Sequence, residues 1–261
     1  MNRCYPRPHD LPMFAALQRH PFAVEAFFRW SLVLAYALPT RVLRPLLPPG
    51  LELDTHGDFG FLAIALVQTE GLRPKGFPKA LGRDFFLSGY RVFARFAPPG
   101  KQALRGLRIL RSDTDQRAMV TLGNVFTHYG YEHAKVSIQR DGELLCVQVR
   151  TPGGTADLDV EASLAQTSGL PPESPFASVE EARKFAGPLP YTFDSDAPSG
   201  KMLVVRGLRT AWDPRPVQVV SQHARFFHKP EFEGAAPRLA NAFYVENVPY
   251  AWKPGELMDP S

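Results

Sequence analysis

Hydrophobic and polar residues change period several times along this chain, and the changes mark out its elements. Ser31 to Leu38 and Phe59 to Val67 are near-continuous apolar runs of strand length, the pattern of strands covered on both faces. Further strand signals lie at Ser88 to Phe96, Leu104 to Leu110, Ala118 to Tyr129, Ala134 to Gln139, Glu143 to Arg150, Lys201 to Trp212 and Val217 to Phe227. Arg140-Asp141-Gly142-Glu143 predicts a hairpin over Lys135 to Arg150, because Asp-Gly supplies the positive φ values of a type I′ turn. Helical spacing is rarer. Phe14, Leu17, Phe22 and Ala26 predict a short amphipathic helix within Pro12 to Phe28, and Thr40 to Leu47 reads as a short helix stopped by Pro48-Pro49-Gly50. Ser178-Val179-Glu180-Glu181 is a capping box for a helix that Gly187-Pro188 ends. Glu70 to Arg83, punctuated by Gly71, Pro74, Gly76, Pro78 and Gly82, predicts a loop, and Thr151 to Ser178 predicts a surface excursion.

Composition strengthens the sheet-rich reading. The 261 residues include 26 prolines, and each proline inside a helix removes a donor and clashes with the preceding turn. The expected fold is α+β and mainly β, as one domain over residues 1–261, with residues 1–28 as an N-terminal arm and short helix. Thirty basic against 26 acidic residues give +4, scattered rather than gathered in a stripe, so no nucleic-acid partner is expected. The most apolar stretch, Trp30 to Leu38, falls short of the roughly 20 residues that span a bilayer, so no membrane association is expected. Cys4 and Cys146 form no CxxC pair, which fits a cytoplasmic location and neither a disulfide framework nor a zinc site.

The motifs of several large enzyme classes are missing: no GxSxG, Walker loop, GxGxxG or HExxH occurs. His128 and His133, like His223 and His228, are five apart, a spacing that shares neither a strand face nor a helix face, so no metal and no cofactor are expected. Thr127 to His133 is the densest collection of proton-handling side chains. On a strand, His128, Gly130 and Glu132 point one way and Tyr129, Tyr131 and His133 the other. Glu132, His128 and Tyr131 are therefore the candidate acid–base residues; an amphipathic edge strand with its aromatics in the core gives the same pattern. Lys79, in Gly76-Phe77-Pro78-Lys79, is either a loop lysine or an amine able to form a Schiff base if desolvation lowers its pKa.

Arg29 to Asp54, RWSLVLAYALPTRVLRPLLPPGLELD, resembles the acetoacetate decarboxylase-like superfamily, most of all its uncharacterised YqjF-like bacterial branch. Gly89-Tyr90-Arg91-Val92, Gly123 to Lys135 and Pro216 to His223 extend the resemblance over most of the chain. It implies a single antiparallel sheet curled into a cone or barrel around an apolar, ligand-sized cavity, with a few outer helices. In the decarboxylases an early arginine, a middle-strand glutamate and a lysine in a GRE…PKK segment form the site. Arg29 matches the arginine, Arg91 stands near the glutamate, and no lysine falls in Gly123 to Glu132. Without that amine, imine formation loses its electron sink. The resemblance thus implies a cavity in which Arg29 and Arg91 clamp a small anionic organic molecule, with or without acid–base chemistry by Glu132, His128 or Tyr131. A non-catalytic sensor or carrier, and a Schiff-base lyase using Lys79, are the alternatives; a homo-oligomer is compatible with all three.

Overall fold

In the computed structural model, which describes residues 16–260 except 168 and 188, the longest apolar runs become the longest strands. The first half contributes β1 (Val24–Pro39), β2 (Leu51–Leu53), β3 (Phe59–Pro74), β4 (Arg83–Phe96), β5 (Leu104–Thr114), β6 (Tyr131–His133) and β7 (Lys135–Asp141). The second contributes β8 (Leu144–Arg150), β9 (Leu158–Gln166), β10 (Tyr191–Asp196), β11 (Lys201–Arg209), β12 (Arg215–Ala224), β13 (Arg238–Trp252) and β14 (Glu256–Met258). Three α-helices are described: α1 (Thr40–Leu43), α2 (Arg117–Phe126) and α3 (Val179–Ala186).

The strands pair in the order β14-β11-β10-β5-β4-β3-β1-β13-β12-β9-β8-β7, with β2 beside β4 and β6 beside β5. A further antiparallel pairing of β11 with β13 joins the run from β11 to β13 end to end. The sheet is mixed rather than purely antiparallel, because β5 runs parallel to both β6 and β10. A single strand, β12, passes from β13 to an outer layer of β9, β8 and β7.

Period-two alternation gives the two faces of β1 and β3 different partners. Leu32, Leu34, Tyr36, Leu62, Ile64 and Leu66 point outward and pack with Val147, Val149, Leu158 and Val160 of the outer layer, all buried. Burial of each such side chain stabilises the fold by roughly 1.5–3 kcal/mol. The inward face carries Ser31, Val33, Ala63, Ala65 and Val67, whose smaller side chains leave space inside the curl.

Several expected elements form and others do not. The Lys135–Arg150 hairpin is present, with Gly142 at φ 57°. Ser178 caps α3, its Oγ accepting from the Glu181 amide at 3.1 Å, and Thr40–Leu43 is helical. Ala118 to Tyr129 is not a strand. Most of it is α2, because Met119, Leu122, Gly123 and Phe126 share one helical face that lines the cavity, with Met119 and Gly123 buried, and this outweighs the strand preference of Val120, Thr121 and Val125. The segment expected to be helical up to Phe28 is extended from Val24, where pairing with β3 and β13 decides; residues 12–15 lie outside the described residues. Strand β3 runs to Pro74 and β4 starts at Arg83, so the Glu70–Arg83 loop is shorter than expected. The Thr151–Ser178 excursion includes β9, whose Leu158, Val160, Ala162 and Leu164 are core. Among the described residues no helix is long and apolar enough to cross a membrane.

The chain is pinned just before β1 at His20, a residue with φ 52°. Its amide donates to the Phe126 carbonyl at 3.2 Å, its carbonyl accepts from Gly255 at 2.9 Å, and its ring meets Tyr129 at 4.9 Å. Burial, with His128 nearby, pushes the imidazole down to about 4 from 6.5. A folded state with the lower value binds the proton later than the unfolded chain, so this group favours folding fully above about pH 6.5 and progressively less toward pH 4. Chemical unfolding should therefore show a loss of ~2 kcal/mol between pH 7.5 and pH 5 through this group. In His20→Gln that loss should shrink by most of this amount; an unchanged acid limb would show that another group is responsible.

Candidate functional site

The joined run of strands encloses a cavity of about 350 Å³. Its floor is the small-residue face of β1 and β3, and α2 closes one side with Met119, Leu122, Gly123 and Phe126. Most of the wall is apolar, which makes its few polar groups conspicuous.

Arg91 is one of these. On β4 it shares the inward face with Gly89, while Tyr90 between them packs outward on Phe226. The Arg91 guanidinium folds back over Gly89, where a Cβ would lie 2.9 Å from Nε and 3.0 Å from Nη2. The same device recurs twice: a Cβ on Gly123 would overlap the Tyr131 ring, and one on Gly207 would overlap the Tyr250 hydroxyl. Three glycines on three elements thus clear the space that an arginine and two tyrosines occupy.

The electrostatics are one-sided. Arg91 Nε is buried with no hydrogen-bond partner, and desolvation pulls the guanidinium below its ordinary value while Tyr250, Tyr131 and Tyr129 pull the other way. Arg209 reaches the same cavity from β11, its guanidinium stacked 4.2 Å over Trp212 and 5.5 Å from Tyr250, with Nη2 donating to the Leu189 carbonyl at 3.2 Å. Arg73 at the edge is held by Glu25 at 2.5 Å. Among the described residues no Asp, Glu or Lys lines the wall. Arginine keeps its proton even under these conditions, so the interior carries positive charge with no carboxylate to balance it. Burial pushes the Tyr131 hydroxyl up to about 12 and Tyr129 higher, so both remain protonated near neutrality and can donate. Tyr129 shares a 2.7 Å hydrogen bond with Thr192.

The residues singled out from the sequence separate. Arg91 and Tyr131 come together in the wall. Arg29 does not join them. It is the extra residue of a bulge between Phe28 and Trp30, which turns it outward, where its 56% exposed side chain pairs with Glu70 at 2.9 and 3.1 Å. Glu132 also faces away, accepting from Arg111 at 2.8 Å on a side chain half exposed to solvent; Arg111 in turn holds buried Asp113. His128 stands behind the wall, near His20 and Asp194, with Nε2 buried and unpartnered. Lys79 is exposed on a single 3-10 turn, Lys79–Leu81, outside the wall. Arg209 and Tyr250 are additional wall residues that sequence reasoning passed over. The Gly-x-Arg spacing of Gly207-Leu208-Arg209 does not single it out, since the same spacing occurs at Gly71, Gly89 and Gly106, and Arg108 of the third pairs with Asp194 outside the wall. Among the described residues no group of three or more His, Cys, Asp or Glu is placed to hold a metal ion.

Comparison with solved structures finds the same fold in proteins of low sequence identity. Acetoacetate decarboxylase from Legionella pneumophila superposes with a TM-score of 0.61 at 12% identity, over 91% of this chain and 88% of that one. The enduracididine biosynthesis enzyme MppR, complexed with pyruvate, gives 0.58 at 13% identity, over 92% and 91%. An acetoacetate decarboxylase-like enzyme from Sphingomonas wittichii RW1 gives 0.57 at 12%, over 98% and 100%. A search of curated proteins gives no match. Residues 27–249 match DUF2071, described as an uncharacterized conserved protein. With an acetoacetate decarboxylase-like fold and a family match over most of its length, the chain belongs to the DUF2071 family.

Proposed function

We propose that the cavity binds a small organic anion, with Arg91 as its counter-charge and Tyr131 and Arg209 as neighbouring donors. The observation that carries this reading is the buried, unpartnered Nε of Arg91 in a wall that, among the described residues, holds no carboxylate. Burying an unpaired charge costs several kcal/mol, and a carboxylate offering two acceptors to the planar fork removes most of that cost. Arg209 adds to the positive potential, and neutral tyrosine hydroxyls suit an acceptor-only ligand. That a structural relative is described in complex with pyruvate, itself a small carboxylate, supports the choice of ligand class.

Imine chemistry is not part of this proposal, since Lys79 stands outside the wall. Of the three acid–base candidates, Tyr131 alone lines the cavity and can donate to a bound molecule; Glu132 and His128 stand outside its wall and are not part of the proposal. The reading is therefore of a binding cavity first, whether the protein then carries, senses or transforms what it holds.

Two substitutions test it. Calorimetric titration of the full chain with hexanoate and with hexanamide should give tighter binding of the acid, and Arg91→Gln should weaken the acid roughly 10- to 100-fold while changing the amide little, as expected for a hydrogen-bonded charge. Equal loss for both, or no binding of either, would overturn the anion reading. Gly89→Ala should move the guanidinium by a few tenths of an ångström to relieve the 2.9 Å approach. Since the far end of a flexible side chain does the yielding, thermal unfolding should change by less than ~1 kcal/mol, while hexanoate affinity falls several-fold. Unaltered affinity would mean that the guanidinium position is not what the ligand reads.

A further inference from the structure

The shape of the cavity narrows the ligand class beyond its charge. Strand register lays the inward side chains of β1, β3 and β4 in successive levels. Val33, Ala65 and Gly89 share the level of the Arg91 guanidinium; Ser31, Val67 and Leu87 form the next, and Phe28, Thr69 and Phe85 the one after. Beyond them Val24 pairs with Pro74 and Leu72 with Arg83 at the edge, where Arg83 is exposed. From Gly89 to Phe85 is four residues, or about 13 Å at roughly 3.3 Å per residue. This lane is walled by Val, Leu, Phe and Ala, and its two hydroxyl residues, Ser31 and Thr69, are 3% and 1% exposed. Phe28, stacked on Tyr250 at 4.6 Å, and Trp252 extend the apolar surface toward the edge.

The volume agrees with the length. At about 30 Å³ per water-sized group, 350 Å³ holds about a dozen non-hydrogen atoms, twice the size of pyruvate. A compact polar acid would satisfy Arg91 but leave the lane filled with poorly bonded water. An acid with an apolar tail would fill both.

We infer that the ligand is an amphiphilic monocarboxylate of medium length, its carboxylate on Arg91 and its apolar tail lying along the β1–β3–β4 lane toward Leu72 and Pro74. This rests on the anion reading above and adds the tail to it. Decanoate, with about a dozen non-hydrogen atoms, matches the volume.

The test is a chain-length series, butanoate, hexanoate, octanoate, decanoate and tetradecanoate, titrated calorimetrically into the full chain below their micelle concentrations. Affinity should rise about fourfold per added methylene, the factor for complete burial of that group, up to about decanoate and gain nothing further at tetradecanoate. Val67→Phe, placed in the middle of the lane, should weaken decanoate at least tenfold more than butanoate. Affinity independent of chain length, with Arg91→Gln still weakening every acid, would overturn the tail and leave the anion reading standing. An unbroken rise to tetradecanoate that Arg91→Gln does not touch would mean apolar adsorption and overturn both. No binding by any acid would also overturn both.

Discussion

A guanidinium that keeps its proton has been placed inside an apolar enclosure, and the surrounding structure is arranged to tolerate it. Arg91 cannot escape the cost of burial by neutralising, as a lysine could. The chain instead surrounds it with three tyrosines and a glycine that lets the side chain lie flat on its own strand. None of these is a full negative charge, so the compensation is partial and the interior stays receptive to an acceptor from outside.

That arrangement depends on the division of labour within β1 and β3. Their outward faces carry the large aliphatic side chains that hold the layer of β7, β8, β9 and β12, and their inward faces carry Ser, Ala and Val. Stability therefore resides mainly between the layers, and the space inside the joined strands does not need to be filled for the fold to hold. The same logic separates the charged networks. Arg111, Asp113 and Glu132 hold one another on the outward side of β5, Arg95 and Arg105 share buried Asp54, and Arg19 holds Asp196, all structural pairs away from the Arg91 guanidinium.

Much of the fold was legible from the sequence because period two and turn chemistry are local signals: the long apolar strands, the Asp141-Gly142 hairpin and the Ser178 cap all appear where expected. The segment around Val120 was not, since β-branched residues imitate a strand and only the tertiary fact that Met119, Leu122 and Phe126 face one cavity makes it a helix. The site was legible by halves. Family resemblance and alternation pointed to Arg91 and Tyr131, but alternation cannot be carried through a bulge, and the extra residue before Trp30 sends Arg29 outward. Arg209 and Tyr250 come from strands remote in sequence, brought to the cavity by the β11–β13 pairing, which no local pattern encodes.

That same bulge divides β1 into two stretches of opposite parity. Upstream of it even-numbered positions, Val24 and Phe28, face the cavity; downstream odd-numbered ones, Ser31 and Val33, do. The mouth and the floor of the cavity are thus built from one continuous strand but governed by independent phase rules. A change of register confined to the upstream stretch would recompose the mouth, exchanging Phe27 or Arg29 for Phe28, while the floor beneath Arg91 kept its side chains. The opening and the arginine-bearing interior of this fold can therefore vary separately, with the bulge as the joint between them.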